Sequence, residues 1–154
     1  MYLSIVVPCY NEEAMIPLTD RRLVEYMDLW IRQQVITDFE IIYVDDGSTD
    51  GTLNALKNFC ASNPKIKVVS LSRNFGHQAA LLAGIRQTSG DAIVTTDADL
   101  QDPPEVIADM VRCCQAGHDI VYGVRSERSS DGLFKKTSAA LFYKFIKCMG
   151  VDII

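Results

Sequence analysis

A chain of 154 residues that is 48% hydrophobic and 23% charged has the make-up of one ordinary globular domain, which excludes an intrinsically disordered polypeptide. A net charge of -5 argues against a general nucleic-acid binder, which carries a basic face. No uncharged apolar run reaches the roughly 18 residues needed to span a bilayer, so no transmembrane segment is expected.

Met1-Tyr2-Leu3-Ser4 runs straight into a β-branched stretch with no basic region before it, so no signal peptide is expected. Residues 3–8 form the first predicted strand, closed by Pro8. A helix over 16–34 carries Leu23, Tyr26, Met27 and Trp30 on one side. The second strand, 39–44, runs into Asp45-Asp46-Gly47-Ser48-Thr49-Asp50-Gly51-Thr52. A helix near 52–61 follows, with Asp50 as its predicted N-cap. Strand three covers 66–71, and a helix to about residue 88 follows Ser72-Arg73-Asn74-Phe75-Gly76-His77-Gln78. Strand four covers 92–96, a helix covers 104–115, and Gly117 suits its C-terminal cap. The fifth strand is 120–124. Five alternations with short connections predict an α/β domain, a mostly parallel sheet with helices on both faces.

In such sheets ligands bind beyond the carboxyl ends of the strands, and chemistry-bearing residues fall there. Asn11 and Glu12 follow strand one, Asp45 and Asp46 strand two, Arg73 and Asn74 strand three, Asp97 and Asp99 strand four, and Arg125 strand five. Asp97 and Asp99, one residue apart, can turn toward one hard cation, with Gln101 as a neutral oxygen beside them. The Asp45 and Asp46 carboxylates can accept the imino hydrogen of a uracil or guanine ring, or hold ribose hydroxyls. Neither the dinucleotide-binding glycine fingerprint nor the P-loop is present, so a nucleotide has to be held another way. Arg73, Arg125 and Arg128 in an acidic domain point to an anionic ligand. His77, beside Gly76 at the start of a helix, reads as a loop residue rather than an acid or base. His118 reads as a solvated helix end.

Charge is unevenly spread. Residues 133–149 hold Lys135, Lys136, Lys144 and Lys147 and no acid, leaving 11 basic against 20 acidic residues for the rest. As a helix, this tail puts Phe134, Leu141, Phe142, Phe145, Ile146 and Met149 on one broad face, opposite Lys136, Lys144 and Lys147. Such a face either lies in a membrane interface or packs on the sheet. The expected division is a ligand-binding domain over 1–130 and a basic amphipathic tail over 131–154. Five cysteines, odd in number and without metal spacing, read as reduced thiols in a cytosolic setting.

Pro8-x-Tyr10-Asn11-Glu12, Asp45-Asp46-Gly47-Ser48-x-Asp50-Gly51-Thr52, Ser72-Arg73-Asn74-Phe75-Gly76, Asp97-Ala98-Asp99-Leu100-Gln101-Asp102-Pro103-Pro104 and Tyr122-Gly123-Val124-Arg125 together resemble family-two glycosyltransferases. The subgroup is that of dolichol-phosphate mannose synthase and the bactoprenol (undecaprenyl-phosphate) glucosyltransferases. The resemblance implies a GT-A fold and inverting transfer of a hexose, glucose favoured, from a UDP-glucose or GDP-mannose type donor to a polyprenyl phosphate. The place implied is the cytoplasmic face of the membrane. Matched onto the motifs, Pro8, Tyr10, Asn11, Glu12, Val44, Asp45, Asp46, Arg73 and Ala98 fall to the nucleotide. Asp97, Asp99 and Gln101 would hold Mg2+ or Mn2+, and Asp97, Asp99 and Arg125 are the catalytic set. An anionic phosphate acceptor needs no strong general base, which agrees with the absence of a clear histidine base. Members of the subgroup continue well past residue 154. The rival expectations are a truncated domain that binds the nucleotide sugar without transferring it, and a hydroxyl-acceptor transferase using Asp102 as base.

Overall fold

The computed structural model describes residues 1–99 and 105–123. Met1–Tyr122 form one compact unit. Its elements are β1 (Tyr2–Cys9), α1 (Ile16–Arg32), β2 (Asp38–Asp45), α2 (Thr52–Ser62), β3 (Ile66–Ser70), α3 (His77–Ile85), β4 (Ala92–Thr95) and α4 (Glu105–Gln115). The four strands lie in the order β3-β2-β1-β4, and every pair is parallel.

Both inner strands are buried on both faces, which is why they read as continuous apolar runs rather than alternating ones. The period of two still sorts their side chains. Leu3, Ile5, Val7 and Cys9 of β1 share one face with Phe39, Ile41 and Tyr43 of β2 and pack with Ile16, Leu23, Met27 and Trp30 of α1, Leu56 of α2, and Ile107, Ala108 and Val111 of α4. Val6, Ile42 and Val44 point the other way, onto Ala80 of α3. There α3 approaches so closely that a Cβ on Gly84 would lie 2.4 Å from Val6 Cγ1 and 2.7 Å from Val44 Cγ2.

The predicted elements form within a few residues of their expected ends, with three differences. First, residues 120–123 are not in a strand, and Ile120 and Tyr122 are 83% and 78% exposed. A short apolar run becomes a strand only through a ladder with a neighbour, and this run has none among the described residues. Second, α3 ends at Ile85, three residues before Thr88. The Thr88 hydroxyl donates to the Ile85 carbonyl at 2.8 Å and helps satisfy that end. Third, the N-cap of α2 is Gly51, while Asp50 accepts from the Thr52 amide at 3.0 Å from one residue further out. The tail, the boundary at residue 131, Leu100, Gln101, Asp102, Arg125, Arg128 and Cys148 lie outside the described residues. Cys9, Cys60, Cys113 and Cys114 are free thiols. No described helix is long and apolar enough to cross a membrane.

At the end of the sheet where its strands begin, Glu40 is buried yet fully engaged. Its carboxylate accepts from Ser4 Oγ at 2.6 Å, Lys67 Nζ at 2.6 Å, Ser89 N at 2.6 Å and Ser89 Oγ at 2.9 Å. Gly90 N donates in turn to Ser4 Oγ at 2.8 Å, so the α3–β4 connection is tied to β1 and β2. Burial alone would raise the Glu40 pKa, but the bonds from Lys67, Ser4 and Ser89 outweigh it and hold the carboxyl at about 2, against an ordinary 4.5. A folded-state pKa below the unfolded one stabilises above pH 4.5, and that stabilisation is lost as pH falls toward 2. Glu40→Gln is expected to lower stability by about 3 kcal/mol at neutral pH, from the size of this shift. The gap to the unsubstituted chain should close by about 2 kcal/mol at pH 3, as seen in urea melts at both pH values.

Candidate functional site

The chain winds from β1 to β2 and β3 on one side, then crosses by way of α3 to place β4 on the other side of β1. Such a reversal opens a crevice at the carboxyl ends of the two strands between which it occurs, here β1 and β4. A pocket of about 350 Å³ lies there, lined by Pro8 and Cys9 at the end of β1, Tyr10 and Glu12 after it, Asp46 after β2, Asn74, Gly76, His77 and Ala80 on the β3–α3 side, and Asp97, Ala98 and Asp99 after β4.

The β1–α1 loop is buckled to the β2–α2 loop. Asn11 takes a left-handed φ of 55°, which asparagine tolerates better than most residues. Its backbone N–H donates to Ser48 Oγ at 3.0 Å, while its side-chain Oδ1 accepts from Thr49 N at 2.8 Å. Glu12 N donates to Thr52 Oγ1 at 2.9 Å. Glu13 N donates to Asp50 Oδ2 at 3.2 Å, and Glu13 Oε2 accepts from Gly51 N at 2.9 Å. These bonds leave Tyr10, 44% exposed, at the pocket wall beside Glu12.

The acidic loop is pinned by α1. The buried Thr19 hydroxyl donates to the Ala98 carbonyl, between the two aspartates. Beyond the loop, Tyr26 of α1 donates its hydroxyl to Glu105, the first residue of α4. The bond from Tyr26 holds the Glu105 carboxyl below the usual range. On the opposite wall, both oxygens of the buried Asp46 accept backbone amides, Phe75 N at 2.8 Å and Gly76 N at 2.9 Å. Gly47, at φ 68°, lets this loop lie against it: a Cβ would sit 2.4 Å from the Arg73 carbonyl carbon.

Of the residues singled out in the sequence, Pro8, Tyr10, Glu12, Asp46, Asp97, Ala98 and Asp99 line the pocket together. Asn11, Val44, Asp45 and Arg73 do not. Asp45 is buried and accepts from Ser48 N at 3.3 Å, and Arg73 lies over the Phe75 ring at 4.2 Å. Asn74, noted in the sequence at the end of strand three, completes the wall with Cys9, Gly76, His77 and Ala80, which were not singled out as site residues. Burial, then the charges of Asp45 and Glu12, push the Cys9 thiol up, so it stays neutral. His77 stood next to Gly76 in a motif already noted. Only the turn that brings its Nε2 to 4.0 Å from Asp97 Oδ1 marks it as a site residue.

No three His, Cys, Asp or Glu side chains gather closely enough to enclose a metal ion among the described residues. Asp97 and Asp99 offer one edge of hard oxygen donors on a shared pocket. That donor set fits magnesium or manganese completed by a ligand's own phosphate oxygens rather than by the protein.

The family model for glycosyl transferase family 2 matches residues 4–150. The glycosyltransferase YkcC of Bacillus subtilis is 44% identical over 146 residues, covering 95% of this chain and 44% of its own. The bactoprenol glucosyl transferase of Shigella phage SfX is 41% identical over 144 residues, covering 94% and 45%. Among solved structures, residues 1–349 of Staphylococcus aureus TarS superpose with a TM-score of 0.60 at 22% identity, over 85% of this chain and 40% of that one. The mannosyltransferase PcManGT of Pyrobaculum calidifontis, solved with GDP-Man and Mn2+, gives 0.50 at 28% identity, over 66% and 32%. The fold is GT-A, and the chain belongs to glycosyl transferase family 2. It spans somewhat less than half the length of these curated relatives.

The buckle gives a graded expectation. Asn11→Ala forfeits the Thr49 bond and strains a left-handed backbone, for a loss of about 2 kcal/mol. Asn11→Gly forfeits only the bond and should cost about 1 kcal/mol in the same urea titration.

Proposed function

With family 2 membership as premise, we propose that the chain binds a nucleoside diphosphate hexose in the pocket between β1 and β4, and that the hexose goes to a polyprenyl phosphate. The observation that carries this is the meeting of Tyr10 and Glu12 with Asp97 and Asp99 across one crevice. Tyr10 supplies an aromatic surface for a nucleobase, and Glu12 an acceptor for ribose hydroxyls. Asp97 and Asp99 hold a divalent cation, Mg2+ or Mn2+, and Gln101 joins them in this reading. When bound, that cation supplies charge to neutralise the diphosphate.

The reaction breaks the bond between the anomeric carbon and the diphosphate oxygen, whose electron pair leaves with the nucleoside diphosphate. An oxygen of the acceptor phosphate forms the new bond from the opposite side, inverting the anomeric centre. That oxygen is already anionic, so no side chain has to remove a proton from it. Arg125 is assigned to the leaving phosphates, where charge develops. The similarity to a bactoprenol glucosyl transferase supports glucose as the sugar and a polyprenyl phosphate as the acceptor. Because such an acceptor is a membrane lipid, the cytoplasmic face of the membrane is the proposed place of transfer. The span of less than half the relatives' length supports a second reading, in which this portion holds the donor and transfer needs more polypeptide.

Labelled hexose transfer from UDP-glucose, with GDP-mannose in parallel, to undecaprenyl phosphate in detergent tests both readings. Label reaching the lipid with Mg2+ and not with chelator establishes the transferase. Donor binding without label movement establishes the donor-binding reading, and no binding of either donor refutes both. Asp99→Ala is expected to weaken metal-dependent donor binding at least several-fold in calorimetry, since it removes one of two carboxylate ligands. Unchanged affinity would contradict the assignment.

A further inference from the structure

The donor reading leaves the imidazole of His77 on the pocket wall without a task. A diphosphate beside Asp97 and Asp99 needs hydrogen-bond donors as well as a cation, yet the side chains of those two residues offer acceptors only. Among the described lining residues there is no arginine or lysine. The imidazole of His77 does face the acidic loop, 54% exposed, with Nε2 4.0 Å from Asp97 Oδ1. That separation is longer than a hydrogen bond, so Nε2 remains available to a group lying against Asp97.

The placement of His77 is held from below. Asp46 fixes the Phe75 and Gly76 amides, the two that immediately precede it. Gly76 then takes a φ of 95° with open space around it, and α3 begins at His77. A buried carboxylate just after β2 thereby sets the position of an exposed imidazole beside the aspartates that follow β4.

We propose that His77 is a contact residue for the nucleoside diphosphate, its Nε2–H donating to an oxygen of the phosphate farther from the nucleoside. The proposal rests on the donor reading and names a contact that reading does not contain. A neutral imidazole with its proton on Nε2 suffices, and Asp46 acts as the positioning residue behind it.

Calorimetry on the full chain with Mn2+ tests this, comparing UDP with UMP and GDP with GMP for the unsubstituted chain, His77→Ala and His77→Gln. The expected result is a loss of about tenfold in diphosphate affinity for His77→Ala, the size of one bond to a charged group. Monophosphate affinity should stay within about twofold, and His77→Gln, which keeps an N–H donor, should recover most of the loss. Equal losses for diphosphate and monophosphate, or no loss for either, would overturn the contact. If the unsubstituted chain binds neither diphosphate, the donor reading itself fails and this contact fails with it.

Discussion

The site depends on one topological constraint, the placement of β4 on the opposite side of β1 from β2 and β3. A parallel strand can reach that position only by a crossover, and α3 makes it over the face away from α1, α2 and α4. Because α3 seats Gly84 against Val6 and Val44, the crossover is close-packed on the two strands at the centre of the sheet. The acidic loop after β4 therefore meets the loop after β1, with the start of α3 between them. Without that reversal Tyr10 and Asp97 would sit on separate strand ends with no shared crevice.

Much of the conspicuous polarity at these strand ends positions backbone, and of these groups only Asp46 also lines the pocket. Asp50, Glu13, Ser48, Thr49 and Asn11 spend hydrogen bonds on joining two loops, Asp45 on the turn after β2, and Asp46 on the loop before α3. Buried carboxylates tolerate desolvation when amides and hydroxyls satisfy them, as Asp45, Asp46 and Glu40 all illustrate. The Asp-Asp-Gly-Ser stretch thus supplies a frame on which Tyr10, Glu12 and His77 are mounted. That division of labour explains how a small domain keeps many acids near one pocket.

Alternation of apolar runs and amphipathic stretches made the strands and helices legible, and the strand-end rule located the pocket before any contact was visible. Pro8, Tyr10, Glu12, Asp46, Asp97, Ala98 and Asp99 were readable because short motifs at strand ends place them on one edge. Asn11 and Asp45 were expected at the ligand and lie beside the pocket without lining it, a distinction that sequence does not carry. Their difference is a matter of which way each side chain turns. The approach of His77 to within 4.0 Å of Asp97 was not legible, since nothing local reports where a crossover brings it. The run at 120–124 has strand composition, but a strand also needs a partner, and pairing is not a local property.

The position of a bound nucleoside diphosphate is the most direct test of this site. Crystals of the chain grown with Mn2+ and either UDP or GDP, with data collected at the manganese absorption edge, give the metal position without reference to the fold. The expected result is an anomalous peak against Asp97 and Asp99, the diphosphate between that peak and His77, and the base beside Tyr10. Nucleotide bound away from the carboxyl ends of β1 and β4, or manganese without contact to either aspartate, would contradict it.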